Sequence, residues 1–203
     1  MVRLAAGARL GDMNRRAAVA ELLRERGDRL LVVSGLGSPS YDVHAVGDHD
    51  ANYYLWGAMG AAALVGLGLA LAQPSRRVLV VTGDGEQLMG LGGLATIAIA
   101  APPNLIIAVV DNGHYGETGM QVSHTGAGLD LAAVATACGF SNTAVARTED
   151  DVADIRKRYL DSLTGPSLVV LKVRPENLPR SLPARDAVYI KNRLRGHLGY
   201  SLS

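Results

Sequence analysis

Hydrophobic and polar positions along this chain fall into blocks that switch between a helical and a strand period. Residues 13–26 carry Ala, Val and Leu on one face of a charged segment, which predicts a helix, and 30–34 follow as a strand. A Gly-rich loop over 35–40 leads to a polar connection over 41–52, rich in His and Asp. A helix near 58–72 then precedes a strand at 78–82, and a helix near 86–100 precedes a strand at 105–110. Asp130 is placed to cap a helix over 131–138 that stops at Gly139. A short strand at 143–146, a charged surface helix over 149–163 and a buried strand at 167–173 complete the pattern. Strands alternating with helices predict an α/β fold, a doubly wound parallel sheet flanked by helices.

Two uncharged runs, 51–75 and 87–110, are long enough to raise the question of a membrane span. Gly57, Gly60, Gly66 and Gly68 interrupt the first, and Pro102, Pro103 and Asn104 the second. They read instead as buried elements of a core whose central strands are covered on both faces. Residues 1–173 form one domain on this reading. Residues 174–203 differ in composition, with Pro175, Pro179 and Pro183 before a basic stretch at 191–195, and are expected to form a solvated or subunit-wrapping extension. A role in reading an anionic substrate is the other reading of that tail.

The 203 residues carry a net charge of +1, which leaves no electrostatic footprint for nucleic acid. Cys138 is the single cysteine, so neither a disulfide framework nor a cysteine-ligated iron–sulfur cluster can be built within the chain, and a small core thiol is expected. Arg3 and Arg9 break any secretory pattern near the start, which points to a cytoplasmic protein.

Candidate chemistry concentrates at two strand ends. Gly83-Asp84-Gly85 follows one apolar strand, and Asp111-Asn112-Gly113 follows the next. In a parallel sheet both ends lie on one edge, so a carboxylate and an amide twenty-eight positions apart can meet around one cation. Magnesium takes oxygen ligands from one or two protein groups together with phosphates and water. Glycines beside Asp84 let backbone N–H groups approach phosphate oxygens, and the following helix adds its positive end. An ordinary strand-to-helix turn would also use Gly-Asp-Gly. A dinucleotide fingerprint fails because no third glycine stands in register after Gly85, and a P-loop fails because no Gly-Lys-Ser or Gly-Lys-Thr occurs.

With these residues the sequence resembles the thiamine-diphosphate-dependent 2-oxo acid decarboxylase family, in its diphosphate-binding (PP) domain. Gly83-Asp84-Gly85 with Asn112 is similar to the family's metal motif, and Leu55-Trp56-Gly57-Ala58-Met59-Gly60 to the segment lying against the thiamine ring. Around Asp111-Asn112-Gly113, and from Thr118-Gly119 through Gln121, the pattern resembles the β subunits of two-subunit sulfopyruvate and phosphonopyruvate decarboxylases. The likeness runs over roughly residues 13–173.

That resemblance implies thiamine diphosphate and Mg2+ as cofactors. The Asp84 and Asn112 side chains and the His114 carbonyl would be the metal ligands. Gly83, Gly85 and Glu86 would hold the diphosphate through their backbone, with Tyr115 and Gly116 alongside. Met59 would wedge between the two cofactor rings, the Gly57 carbonyl would accept from the aminopyrimidine, and Gly37 and Ser38 would belong to the loop that closes over the phosphates. Many relatives have Ser where Glu86 stands, and a carboxylate near a diphosphate must point away or pair with a cation. The activating glutamate of the family lies on a separate pyrimidine-binding (PYR) domain. The resemblance therefore implies a PYR-domain α subunit as partner, in an α2β2 or larger hetero-oligomer, with this chain supplying no activating glutamate.

The loop over 113–128 is the second place for chemistry, because loops at the carboxyl edge of a parallel sheet bind substrates. Glu117, Thr118 and Gln121 are the candidates for touching a small 2-oxo acid, and the loop contains no Arg or Lys to pair with a second anion. His44, Asp48, His49 and Asp50 form another polar cluster, whose spacing matches no standard zinc pattern. Two alternatives to a decarboxylase subunit stay open at this point, a thiamine-dependent carboligase or transferase subunit and a non-catalytic scaffold of the same fold.

Overall fold

The computed structural model describes residues 11–160 and 165–201. Its centre is a six-stranded, all-parallel sheet. The strands are β1 (Leu30–Ser34), β2 (Asn52–Tyr54), β3 (Arg77–Gly83), β4 (Leu105–Asp111), β7 (Asn142–Ala146) and β8 (Ser167–Lys172). They lie in the order β2-β1-β3-β4-β8-β7. A two-stranded antiparallel ribbon, β5 (His114–Tyr115) with β6 (Gln121–Val122), stands after β4.

Strand side chains alternate between two cores, as the two-residue period requires. Leu79, Val81, Ile106, Ala108, Val169 and Leu171 face one core. It also receives Ala18, Val19 and Leu22 of α1 (Arg15–Leu22) and Val152 and Ile155 of α7 (Glu149–Ile155). Val78, Val80, Ile107, Val109, Leu168 and Val170 face the other. There they meet α3 (Ala62–Ala72), α5 (Gly93–Ala100) and α6 (Leu131–Cys138). All seven residues of β4 are buried, so the uncharged run over 87–110 is core and not membrane. No helix among the described residues is long and apolar enough to cross a membrane.

Local signals set most helix ends. Asn14 caps α1 by accepting from the Arg16 and Ala17 amides, and Asp130 caps α6 as expected, with Gly139 left-handed at its end. Thr148 and Asp151 form a capping box at the start of α7, which continues through a π-helical turn over Arg156–Leu160. The remainder of that helix to 163 lies outside the described residues, as does the segment 1–10.

Four expectations need correction. The polar connection over 41–52 hides the helix α2 (Ser38–Ala45) and the edge strand β2, because α2 turns the polar Ser40 and Asp42 inward and so loses its sequence periodicity. The helix near 58–72 begins only at Ala62, because Gly57, Ala58 and Gly60 all take positive φ. The helix near 86–100 is two, α4 (Asp84–Met89) and α5, broken where Gly90 packs directly on the Gly60 carbonyl. The C-terminal extension is not loosely solvated. Its helix α8 (Ala187–His197) packs against β2 and gives Ile190 to one core and Leu194 to the other, covering the sheet's edge.

Candidate functional site

Chain order reverses between β1 and β3: β2 lies beyond β1 on one side, and β4 beyond β3 on the other. The loops after β1 and β3 therefore part, opening a crevice at the carboxyl edge of the sheet. A cavity of about 210 Å³ lies there. The chain just after β1, the β3–α4 junction and the chain from Val110 to Thr118 line most of it, and Arg15 and Met59 complete the wall.

Asp84 is the first residue of α4 and is 2 % exposed. Its Oδ2 accepts from the hydroxyls of Ser123 and Thr125, and Thr125 also lies 2.7 Å from Asp111 Oδ1. Burial pushes the Asp84 carboxyl up, the neighbouring Asp111 charge adds to this, and the two hydroxyls offset part of it. Asp111 is paired with Lys172, whereas Asp84 has no ion-pair partner among the described residues.

Asn112 follows β4 and turns the chain. Its Oδ1 accepts from the His114 amide at 2.9 Å, and its carbonyl oxygen lies 2.9 Å from His114 Nδ1. Asn112, His114, Tyr115 and Gly116 all line the cavity with Asp84. Tyr115 packs so closely on Gly85 that a Cβ there would stand 2.5 Å from the ring, so the second glycine of Gly83-Asp84-Gly85 is required by that contact.

Glu86 lines the cavity, but its carboxylate is turned inward and is 3 % exposed. It accepts from Thr82 Oγ1 at 2.8 Å and sits so close beneath Gly35 that a Cβ at that glycine would collide with it. Burial raises its pKa, opposed by Thr82 and by the Gly60 and Leu36 amides. A carboxylate held away from the site removes the conflict with a bound diphosphate.

Other expected residues divide. Ser38, Met59, Gly83, Glu117 and Thr118 line the cavity, with Met59 41 % exposed. Gly37 does not line it but caps α2 with φ 79°, its Cα facing Glu117. Gly57, at φ 84°, also lies outside its lining. Gln121 is exposed and paired with Thr118, where it staples the β5–β6 ribbon instead of facing the cavity. Cys138 is half-buried against the core.

The polar cluster divides: Asp48, His49 and Asp50 line one open hollow with Asp28, Arg76 and His197, and His44 does not line it. His44 is bonded to Ser181, Asp48 to Arg193 and Tyr54, and His49 faces Asp28. Among the described residues no three His, Cys, Asp or Glu side chains are grouped to hold a metal ion.

Several contacts at the site were not legible in the sequence pattern, although Ser123 lies in the loop over 113–128 that the sequence marks for chemistry. Ser123 and Thr125 return from beyond the ribbon to reach Asp84, 39 and 41 positions away. Arg15 enters the cavity wall from α1, with only its charge on a largely apolar face as a signal. The extension also reaches the rim, where Arg180 pairs with Glu117 at 2.9 Å and the Ala184 carbonyl accepts from Trp56 Nε1 at 2.7 Å. A second cavity, of about 350 Å³ and rich in arginine, lies at the opposite edge of the sheet and contains none of the expected site residues.

Residues 38–171 match the family described as "Thiamine pyrophosphate enzyme, C-terminal TPP binding domain". A phosphonopyruvate decarboxylase of Streptomyces viridochromogenes is 43 % identical over 176 residues, 84 % of this chain and 44 % of that protein. The sulfopyruvate decarboxylase subunit beta of Methanothermobacter thermautotrophicus is 42 % identical over 163 residues, 80 % of this chain and 84 % of the subunit. The chain thus spans under half of the first relative and most of the second. Among solved structures, the thiamine diphosphate-dependent 4-hydroxybenzoylformate decarboxylase of Rhodococcus jostii has the same fold, with a TM-score of 0.67 at 20 % identity, over 81 % of this chain and 33 % of that one. With the matched region running from the first residue of α2 into β8 and including Asp84, Asn112 and His114, the chain belongs to the thiamine pyrophosphate enzyme family, in its C-terminal TPP-binding domain.

Proposed function

We propose that this chain is the cytoplasmic β subunit of a thiamine-diphosphate- and Mg2+-dependent decarboxylase of a small 2-oxo acid, with sulfopyruvate or phosphonopyruvate as the model substrates. The observation that carries the metal part is Asp84. A carboxylate 2 % exposed, beside a second carboxylate and without an ion-pair partner among the described residues, is electrostatically incomplete. A divalent cation at the cavity would complete it. Asp84, the Asn112 side chain and the His114 carbonyl supply the oxygen donors that magnesium prefers. The lining fits the cofactor in other respects: the open space beside Gly83 leaves backbone room for a diphosphate, and the half-exposed Met59 offers an apolar wedge.

Thiamine diphosphate, when bound, supplies the electron sink for loss of carbon dioxide. The chain's own residues hold and orient it. Ser123 and Thr125 fix the Asp84 carboxylate, Glu86 braces the loop after β1 against the β3–α4 junction, and Tyr115 packs on Gly85. Glu117 and Thr118 face the cavity from the loop after β4, where a substrate would approach.

The proton-handling glutamate would come from a PYR-domain α subunit. Exposed apolar side chains on three helices support such a partner: Leu64 and Leu71 of α3, Met89 of α4 and Ile99 of α5 are 41, 57, 64 and 88 % exposed. Likeness to a protein named as a β subunit supports it too.

Calorimetric titration of thiamine diphosphate with and without Mg2+, on the chain co-expressed with its partner subunit, tests the metal and cofactor. Metal-dependent binding is expected in the wild type, and Asp84→Asn is expected to weaken it by more than the roughly 10–100-fold typical of outer-shell changes. Unchanged affinity in Asp84→Asn would remove the metal assignment. Full carbon dioxide release by the purified chain alone would remove the partner.

A further inference from the structure

The arginine-rich cavity at the opposite edge of the sheet has no part in the function proposed above. Its volume of about 350 Å³ is within the range of small-molecule sites. Leu30 and Arg77, the first residues of β1 and β3, line it, so it lies at the amino ends of the strands. Asp84 follows the carboxyl end of β3, and the length of that seven-residue strand, about 20 Å, separates the two places.

Among the described residues the wall carries more positive charge than its carboxylates match. Arg24, Arg26, Arg29 and Arg156 line it together with Arg77, which donates to the Tyr159 carbonyl oxygen, and Glu25 is the one acidic residue described there. Arg24 and Arg156 share a single carboxylate, Glu21, at 2.7 and 3.4 Å. Arg26 and Arg29 form no ion pair with a described residue and donate to neutral oxygens instead. Arg26 reaches Asn52 Oδ1 at 2.6 Å and the Leu30 carbonyl at 2.8 Å, and Arg29 reaches the Ser75 carbonyl at 2.5 Å.

Arg26 shows the imbalance most directly. Burial pulls its pKa down to about 10, against the attraction of Tyr54, Asp48 and Asp28. Its Nε is buried with no hydrogen-bond partner among the described residues. Asp48 is held by Arg193, and Asp28 faces His49, so neither carboxylate is Arg26's own. A partly desolvated guanidinium in that condition is stabilised by an anion.

The rest of the wall is apolar, from Leu22, Leu30 and Leu160. Guanidinium forks match phosphate oxygens in pairs, and their planar faces stack on aromatic rings. Several forks beside an apolar surface are complementary to a chain of phosphates joined to a flat base.

We propose that this cavity binds a nucleoside di- or triphosphate, with the arginines around the phosphates and the base against the leucines.

Calorimetric titration of the chain in EDTA tests this, because the ligand of the crevice is proposed to need Mg2+ and Asp84. The probes are ATP, inorganic tripolyphosphate and a polyglutamate peptide. ATP is expected to bind the wild type, more weakly as salt is raised, and within about twofold as well to Asp84→Asn. Arg24 and Arg29 are exposed, so the double variant Arg24→Gln with Arg29→Gln is expected to stay folded by circular dichroism and to bind ATP about tenfold or more weakly. Arg26→Gln should lower affinity similarly, and if it unfolds, the exposed double variant decides. ATP binding about tenfold tighter than tripolyphosphate supports the nucleoside, whereas equal affinities overturn it. No ATP binding by wild type, unchanged affinity in the double variant, or loss of binding in Asp84→Asn overturns the site. Binding of polyglutamate without binding of ATP also overturns it, and would mark the wall as a docking face for an acidic protein segment.

Discussion

Thr125 donates its hydroxyl to Asp84 at 2.8 Å, across 41 positions of sequence. The same oxygen lies 2.7 Å from Asp111, so a single hydroxyl sits between the two buried carboxylates at the ends of β3 and β4. Thr125→Val keeps the shape and removes the donor. The folded state is expected to lose about 1–3 kcal/mol, the usual result of leaving a buried acceptor short. Thr125→Ser should restore most of it. Urea unfolding of the three proteins checks this, and equal midpoints would show that the bridge contributes nothing.

Gly90 and Gly60 meet backbone to backbone. A Cβ on Gly90 would lie 1.9 Å from the Gly60 carbonyl oxygen, which cannot rotate aside. Gly90→Ala is expected to cost about 1–3 kcal/mol, as other overpacked sites do, and to displace the neighbouring Met59 from the cavity. Gly92 has open space around its Cα, and Gly92→Ala should stay within about 0.5 kcal/mol. Thermal unfolding of the pair distinguishes a steric cause from a general glycine effect.

Asp48 joins the C-terminal helix to β2. Burial works against its charge, but hydrogen bonds from Arg193 and Tyr54 outweigh that and hold its carboxyl below the ordinary value of 3.8. A depressed folded pKa contributes stability that is fully present above 3.8 and is lost as pH falls through the folded value. Because the Asp48 side chain is 40 % exposed, solvent screening limits the effect to less than about 1 kcal/mol. Denaturant unfolding between pH 6 and pH 2.5 should show a steeper acid loss for wild type than for Asp48→Asn. Parallel curves would exclude the linkage.

Ile190 is 1 % exposed although it lies in the extension that composition marks as separate. Ile190→Ala is expected to destabilise the whole chain by about 2–5 kcal/mol, as core truncations do. Val188→Ala, on a side chain 61 % exposed, should change little. If Ile190→Ala leaves the unfolding midpoint unchanged, α8 is not part of the folded domain.

By itself the sequence determined the α/β class, five of the six sheet strands and the edge on which the chemistry lies. These follow from local signals: buried parallel strands are continuous apolar runs, and Gly83-Asp84-Gly85 and Asn112 mark strand ends directly. The misread elements are those where tertiary contacts override the period. Helix α2 buries Asp42 because Arg15 and Arg16 neutralise it, and β2 is a three-residue edge strand whose burial depends on α8. Only the tertiary structure decided that Ser123 and Thr125 hold Asp84, that Glu86 turns inward, and that Arg15 reaches the cavity from the first helix. Long-range hydrogen bonds and charge sharing have no sequence period, since the partners are chosen by the order of strands in the sheet and not by spacing along the chain.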